Sequence, residues 1–139
     1  MKTLKTFTKE EADGLIPQIA AQIETLQGLQ KKAGWLEVQC ELDLMTGTGS
    51  SEMLKQVQIY QDQRAGCFSL MHQCIQKIES FGCVLKDIHD GIVDFCSVYE
   101  GQLVHLSWRY GEQEVGYMYF SGEDYENRKP IKEVEKKKD

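Results

Sequence analysis

Nowhere in its 139 residues does the chain hold an apolar run near the ~20 residues that a bilayer-crossing helix needs. The longest apolar stretches are short and broken by charge. Its opening, Met1-Lys2-Thr3-Leu4-Lys5-Thr6, lacks the apolar centre of a signal peptide, so a soluble cytoplasmic protein with no membrane attachment is expected. Excess positive charge is also missing: 16 basic residues stand against 22 acidic, a formal net charge of −6, and no Lys/Arg-rich face emerges. That balance disfavours nucleic acid and anionic lipid as partners. Cysteine is present five times, as Cys40, Cys67, Cys74, Cys83 and Cys96, but never as CxxC or any other zinc-ligand spacing. Reduced, buried thiols are the expected state, and no metal is expected.

Catalytic signatures are absent as well. No nucleophile elbow, HExxH, Ser/His/Asp arrangement or dinucleotide fingerprint occurs. The stretch Met45-Thr46-Gly47-Thr48-Gly49-Ser50-Ser51 has the glycines of a connection without the lysine of a phosphate-binding loop. It predicts a turn. These gaps argue against an enzyme and imply no cofactor.

What is present is pattern. Thr8 and Glu11 in Phe7-Thr8-Lys9-Glu10-Glu11-Ala12 form a capping box that starts a helix. Apolar residues then recur in threes and fours from Ala12 through Leu15, Ile19, Ile23, Leu26, Leu29, Ala33 and Leu36 to Cys40. Pro17 falls inside this run and predicts a kink or a restarted helix, because it cannot donate to the carbonyl of Asp13. A second seam runs through Met53, Val57, Tyr60, Cys67, Met71, Cys74, Ile78 and Phe81, broken only by Arg64, and Gly82 follows as a left-handed terminator. Helices of this length bury one stripe each against the other, so part of the apolar surface must meet the second half of the chain or another copy.

After Gly82 the period becomes two. Strands are predicted over 83–88, Ile92–Tyr99, Leu103–Trp108 and Val115–Phe120, joined by turns at Asp90-Gly91, Glu100-Gly101 and Tyr110-Gly111-Glu112-Gln113. The fold class expected is α+β: a long antiparallel helical hairpin followed by a four-stranded antiparallel β-meander. Residues 1–131 are expected to form a single domain, with 132–139 a charged, disordered tail.

Alternation puts Asp94 among Ile92, Cys96 and Val98, where an unpaired buried carboxylate would be costly. Arg109 and Arg128 are the cations that could reach it bidentately. A group of Asp94, Trp108, Arg109, Glu112 and Arg128 is thus the candidate ligand site, or else a clamp holding the C-terminal segment on the sheet. His105, alone in its strand, reads as a surface or satisfied residue.

Phe7-Thr8-Lys9-Glu10-Glu11-Ala12 with Leu15-Ile16-Pro17, then Gly91-Ile92-Val93-Asp94-Phe95, Trp108-Arg109-Tyr110-Gly111-Glu112, and Tyr125 with Arg128, together resemble a small bacterial family, domain of unknown function 2203. The resemblance spans the chain and implies no activity. Members place a cysteine before the tryptophan and a Trp-His pair on the next strand, whereas here Ser107 and Tyr117-Met118-Tyr119-Phe120 stand, which removes soft and imidazole metal ligands. The leading expectation is a homodimeric interaction or scaffold protein that also has the means to bind a protein partner. The alternative is a small-molecule-binding protein or enzyme built on the acidic/arginine group beside Trp108.

Overall fold

The computed structural model describes residues 5–136 and is α+β. Helix α1 spans Lys9–Thr46 and α2 spans Ser51–Ser80. Strands β1 (Val84–Asp87), β2 (Ile92–Tyr99), β3 (Gln102–Arg109), β4 (Tyr117–Phe120) and β5 (Lys129–Pro130) follow, then α3 (Ile131–Lys136). The strands pair antiparallel in sequence order, as a meander does. It has five strands where four are expected: Pro130 and Lys129 lie opposite Tyr117 and Met118. A proline lacks a donor and fits this edge position. Helix α3 occupies part of the region expected to fray, and 137–139 lie outside the described residues. No helix among the described residues is long and apolar enough to cross a membrane.

The capping box forms reciprocally. The Glu11 N–H donates to Thr8 Oγ1 at 3.1 Å and the Thr8 N–H to Glu11 Oε1 at 3.0 Å. Thr8→Ala is expected to cost about 1 kcal/mol, read as a lowered urea midpoint with unchanged slope. Of the kink or restart expected at Pro17, the restart does not occur, since α1 runs unbroken through it. Pro17 is exposed, so water can satisfy the carbonyl that it leaves without a donor. Gly82 adopts φ +99°, and a Cβ there would stand 2.8 Å from Lys5 and 3.1 Å from Phe7. Glu100 and Gly101, at φ 50° and 76°, make the tight turn that sets Tyr99 opposite Gln102.

The chain falls into two compact units. Glu24–Gln76 is one. Its core is Ala33, Leu36 and Cys67 with Leu29 and Tyr60 packed on it, and Arg64 pairs with Glu37 at 3.5 Å. The other unit takes the residues up to Ile23 and those from Lys77 onward. There Val93, Phe95, Val104, Leu106, Trp108 and Met118 are buried on one face of the sheet. The segment before α1 ties to this face: the Phe7 ring meets Phe95 edge-on at 5.2 Å, and Ser97 Oγ donates to the Phe7 carbonyl at 2.5 Å.

Candidate functional site

Register decides which expected site residues meet. Val93 opposes Trp108, so Trp108 belongs to the face of Phe95 and Leu106. Asp94 opposes Ser107, on the other face. The expected single group is therefore not assembled, because Trp108 and Asp94 point to opposite sides of the sheet.

Around the β3–β4 turn a clamp forms from four of the five residues. Glu112 accepts the Arg109 N–H at 2.8 Å through Oε1, and its two carboxylate oxygens take Arg128 Nη1 and Nη2 at 3.4 and 3.1 Å. Trp108 Nε1 donates to the Glu112 carbonyl at 2.9 Å, which fixes the same turn from the buried side. The Arg128 guanidinium lies between the rings of Tyr117 and Tyr125, 4.1 and 4.7 Å from their centroids. Two ring faces and a bidentate carboxylate hold the cation from several directions, fastening the segment after β4 onto the sheet.

The Arg109 guanidinium turns instead to Asp90 in the β1–β2 turn, at 3.1 Å, an exposed pair. Arg109 stands opposite Ile92, two positions along the strand from Asp94, so its side chain leaves the sheet over the hairpin end. Neither arginine bonds Asp94, contrary to expectation.

Asp94 is buried, and its Oδ2 accepts the hydroxyl of Tyr119, which lies diagonally across β3 on β4. A neutral phenol costs less to desolvate beside a carboxylate than a guanidinium does. Asp94 Oδ1 and the Ser107 hydroxyl are buried without a hydrogen-bond partner. Ser107 lies near enough to favour the charged carboxylate without the alignment of a hydrogen bond. Burial nonetheless dominates and raises the Asp94 pKa above the ordinary carboxylate range, opposed by Tyr119, Lys86, His105 and Ser107. Burial and the neighbouring carboxylate raise the Tyr119 phenol in turn. His105 stacks on Tyr119 with centroids 4.8 Å apart.

The sign of the Asp94 shift sets a pH dependence. Its folded pKa exceeds its unfolded value, so the folded state holds the proton more tightly, and stability falls as pH rises from the ordinary carboxylate range through the raised value. Asp94→Asn is expected to melt higher than the unaltered chain at neutral pH. That advantage should shrink in acid, as thermal melts across pH would show.

Over this face lies a cleft of about 280 Å³ lined by Lys86, Asp87, Ile92, Tyr119, Glu123, Asp124 and Tyr125. Among the described residues no three His, Cys, Asp or Glu side chains stand together in a way that could hold a metal ion. All five cysteines are unpaired. Burial pushes the Cys83 thiol up to about 11 and raises Cys74, so neither is a ready nucleophile.

Alternation sets His105 with Ser107 on one strand and Asp94 with Ile92 and Cys96 on another, each strand by itself. The diagonal relation needs the β3–β4 register, which no local signal supplies. A family model described as an uncharacterized conserved protein (DUF2203) matches residues 5–131, and the chain belongs to that family. No curated protein and no solved structure matches it.

Proposed function

We propose that this chain, whose family supplies no activity, is a cytoplasmic homodimeric interaction protein that self-associates through the outer face of α1. The observation that carries the reading is a second apolar row on that helix. Trp35, Val38, Leu42 and Met45 follow steps of three, four and three, and are 56%, 49%, 47% and 82% exposed. The inward row, Leu29, Ala33, Leu36 and Cys40, runs in steps of four, three and four on the opposite side of the helix. A helix of a small unit that is apolar on both sides has one side more than its own hairpin uses.

Charge along the row favours a second copy in antiparallel orientation. Lys31 continues the row one turn before Trp35, and Glu41 and Asp43 flank its far end. A parallel pair would set Lys31 against the Lys31 of the second copy. An antiparallel pair sets it beside the Leu42 and Glu41 end instead, where its stem covers apolar surface and its ammonium meets a carboxylate. Five unpaired cysteines suit a reducing compartment, which supports the cytoplasmic part of the reading.

Intrinsic fluorescence tests the face directly. Of the two tryptophans, Trp108 is fully buried and serves as a constant, while Trp35 is half-exposed. Dilution is expected to shift emission to the red with a midpoint at the dimer dissociation constant. Emission independent of concentration, with the red component of an exposed indole throughout, would contradict the proposed face.

A further inference from the structure

We propose that Met45 is an oxidation-sensitive latch of self-association: its thioether seats on Gly28 of a second copy, and conversion to the sulfoxide by a peroxide unseats it. This rests on the pairing of outer α1 faces proposed above and names what regulates that pairing.

Gly28 and Lys31 extend the row of Trp35, Val38, Leu42 and Met45 toward the start of the helix, and the steps between these six positions run three, four, three, four, three. That series reads the same in both directions. A single antiparallel register therefore matches every position of the row with another. With Lys31 opposite Leu42, Trp35 stands opposite Val38 and Met45 opposite Gly28. Each layer sets a long or broad side chain against a shorter one, the arrangement that fills the space between two helices.

Gly28 supplies the seat. It is exposed, and a Cβ added there would meet nothing within 4 Å in its own chain. The space over it belongs to no side chain of the same copy. Methionine, unbranched and with a polarizable sulfur, is the side chain best able to mould itself to such a surface.

Met45 is also the methionine that an oxidant reaches. It is 82% exposed, whereas among the described residues Met53 is half-buried and Met71 and Met118 are buried. With hydrogen peroxide, a sulfur lone pair takes one oxygen as the O–O bond breaks, and the other oxygen leaves as water after taking the proton of the transferred hydroxyl. The sulfur loses two electrons and the peroxide gains them. The product carries a polar S=O acceptor where the thioether was apolar. Gly28 has no side-chain donor to meet that oxygen, so the paired state would hold it away from water and unsatisfied. Oxidation thus favours the single chain.

The test is sedimentation equilibrium of the full-length chain before and after hydrogen peroxide, with peptide mass mapping to confirm one added oxygen at Met45. The sulfoxide is expected to raise the dissociation constant about tenfold or more, while the urea midpoint of the dilute chain stays unchanged because the residue faces solvent there. Met45→Leu should pair as the unaltered chain does and lose the response to peroxide. Amide spectra of the ¹⁵N-labelled chain locate the seat, since Gly28 lies roughly 25 Å from Met45 along the same unbroken helix. Its signal should move on oxidation only at concentrations where chains pair. The latch is overturned, with the α1 interface left standing, by a chain that pairs with an unchanged constant after oxidation. A Gly28 signal that stays fixed in the pairing range, or a Met45→Leu variant that still dissociates with peroxide, has the same force. A chain that stays single before any treatment overturns both the latch and the interface.

Discussion

Glutamate at both Val38 and Leu42 is expected to leave the protein monomeric at concentrations where the unaltered chain pairs with itself. Each side chain is about half-exposed in one copy, so covering the remainder contributes about 1 kcal/mol per residue. In a two-fold pair each substitution acts twice, giving about 4 kcal/mol, or roughly a thousandfold in dissociation constant. Four introduced carboxylates near the acidic Glu41 and Asp43 add repulsion in the same direction. Folding of the isolated chain should change little, because solvent-facing positions away from caps and cores shift stability by about 1 kcal/mol or less. Sedimentation velocity with a parallel urea melt separates the two effects. Substitutions at Ile59 and Leu70, on the other helix of the hairpin and also exposed, serve as the comparison that should leave association unchanged.

Removing the carboxylate of Glu112 produces the largest expected loss of stability outside the core. Glu112→Ala deletes the acceptor of the Arg109 N–H and both acceptors of Arg128. The Arg128 side chain is only 18% exposed and that of Glu112 only 23%, so water reaches the stranded guanidinium poorly. An exposed ion pair would be worth about 0–1 kcal/mol, but a mostly covered cation stripped of its bidentate partner should cost about 2–3 kcal/mol. Urea denaturation should show this as a lowered midpoint. Arg128→Lys should lose less, since an ammonium still meets Glu112 yet gives up the planar stacking between Tyr117 and Tyr125. A double-mutant cycle on Glu112 and Arg128 is expected to show strong coupling. Near-additive losses would mean that the clamp is not a unit.

How much of this was legible in the sequence varies with the range of the interaction. Local signals were sufficient for the capping box at Thr8, the left-handed Gly82 and the tight turn at Glu100-Gly101, since each depends on a few adjacent residues. Alternation along β2 and β3 correctly separated Asp94 from its neighbours Val93 and Phe95. Pro17 left a kink and a restart open, because proline removes a hydrogen bond without saying whether the helix continues past it, and here it does. The two-residue β5 carries too little sequence to show a period, and only its pairing with Tyr117 and Met118 defines it. In the candidate site, charge complementarity suggested arginine as the partner of Asp94, whereas the β3–β4 register delivers the phenol of Tyr119. Glu112 and Arg128 do meet as the charged residues suggested. The outer row on α1 was hidden for a different reason. With apolar residues on two sides of one helix, spacing alone does not tell which row packs within the hairpin and which is left over.

The mass of the unaltered protein in solution tests the central claim most directly. Sedimentation equilibrium over the micromolar range is predicted to show a reversible transition from one chain of 16.0 kDa to twice that mass. A single species at the mass of one chain throughout that range would contradict self-association and, with it, the assignment of the outer α1 face.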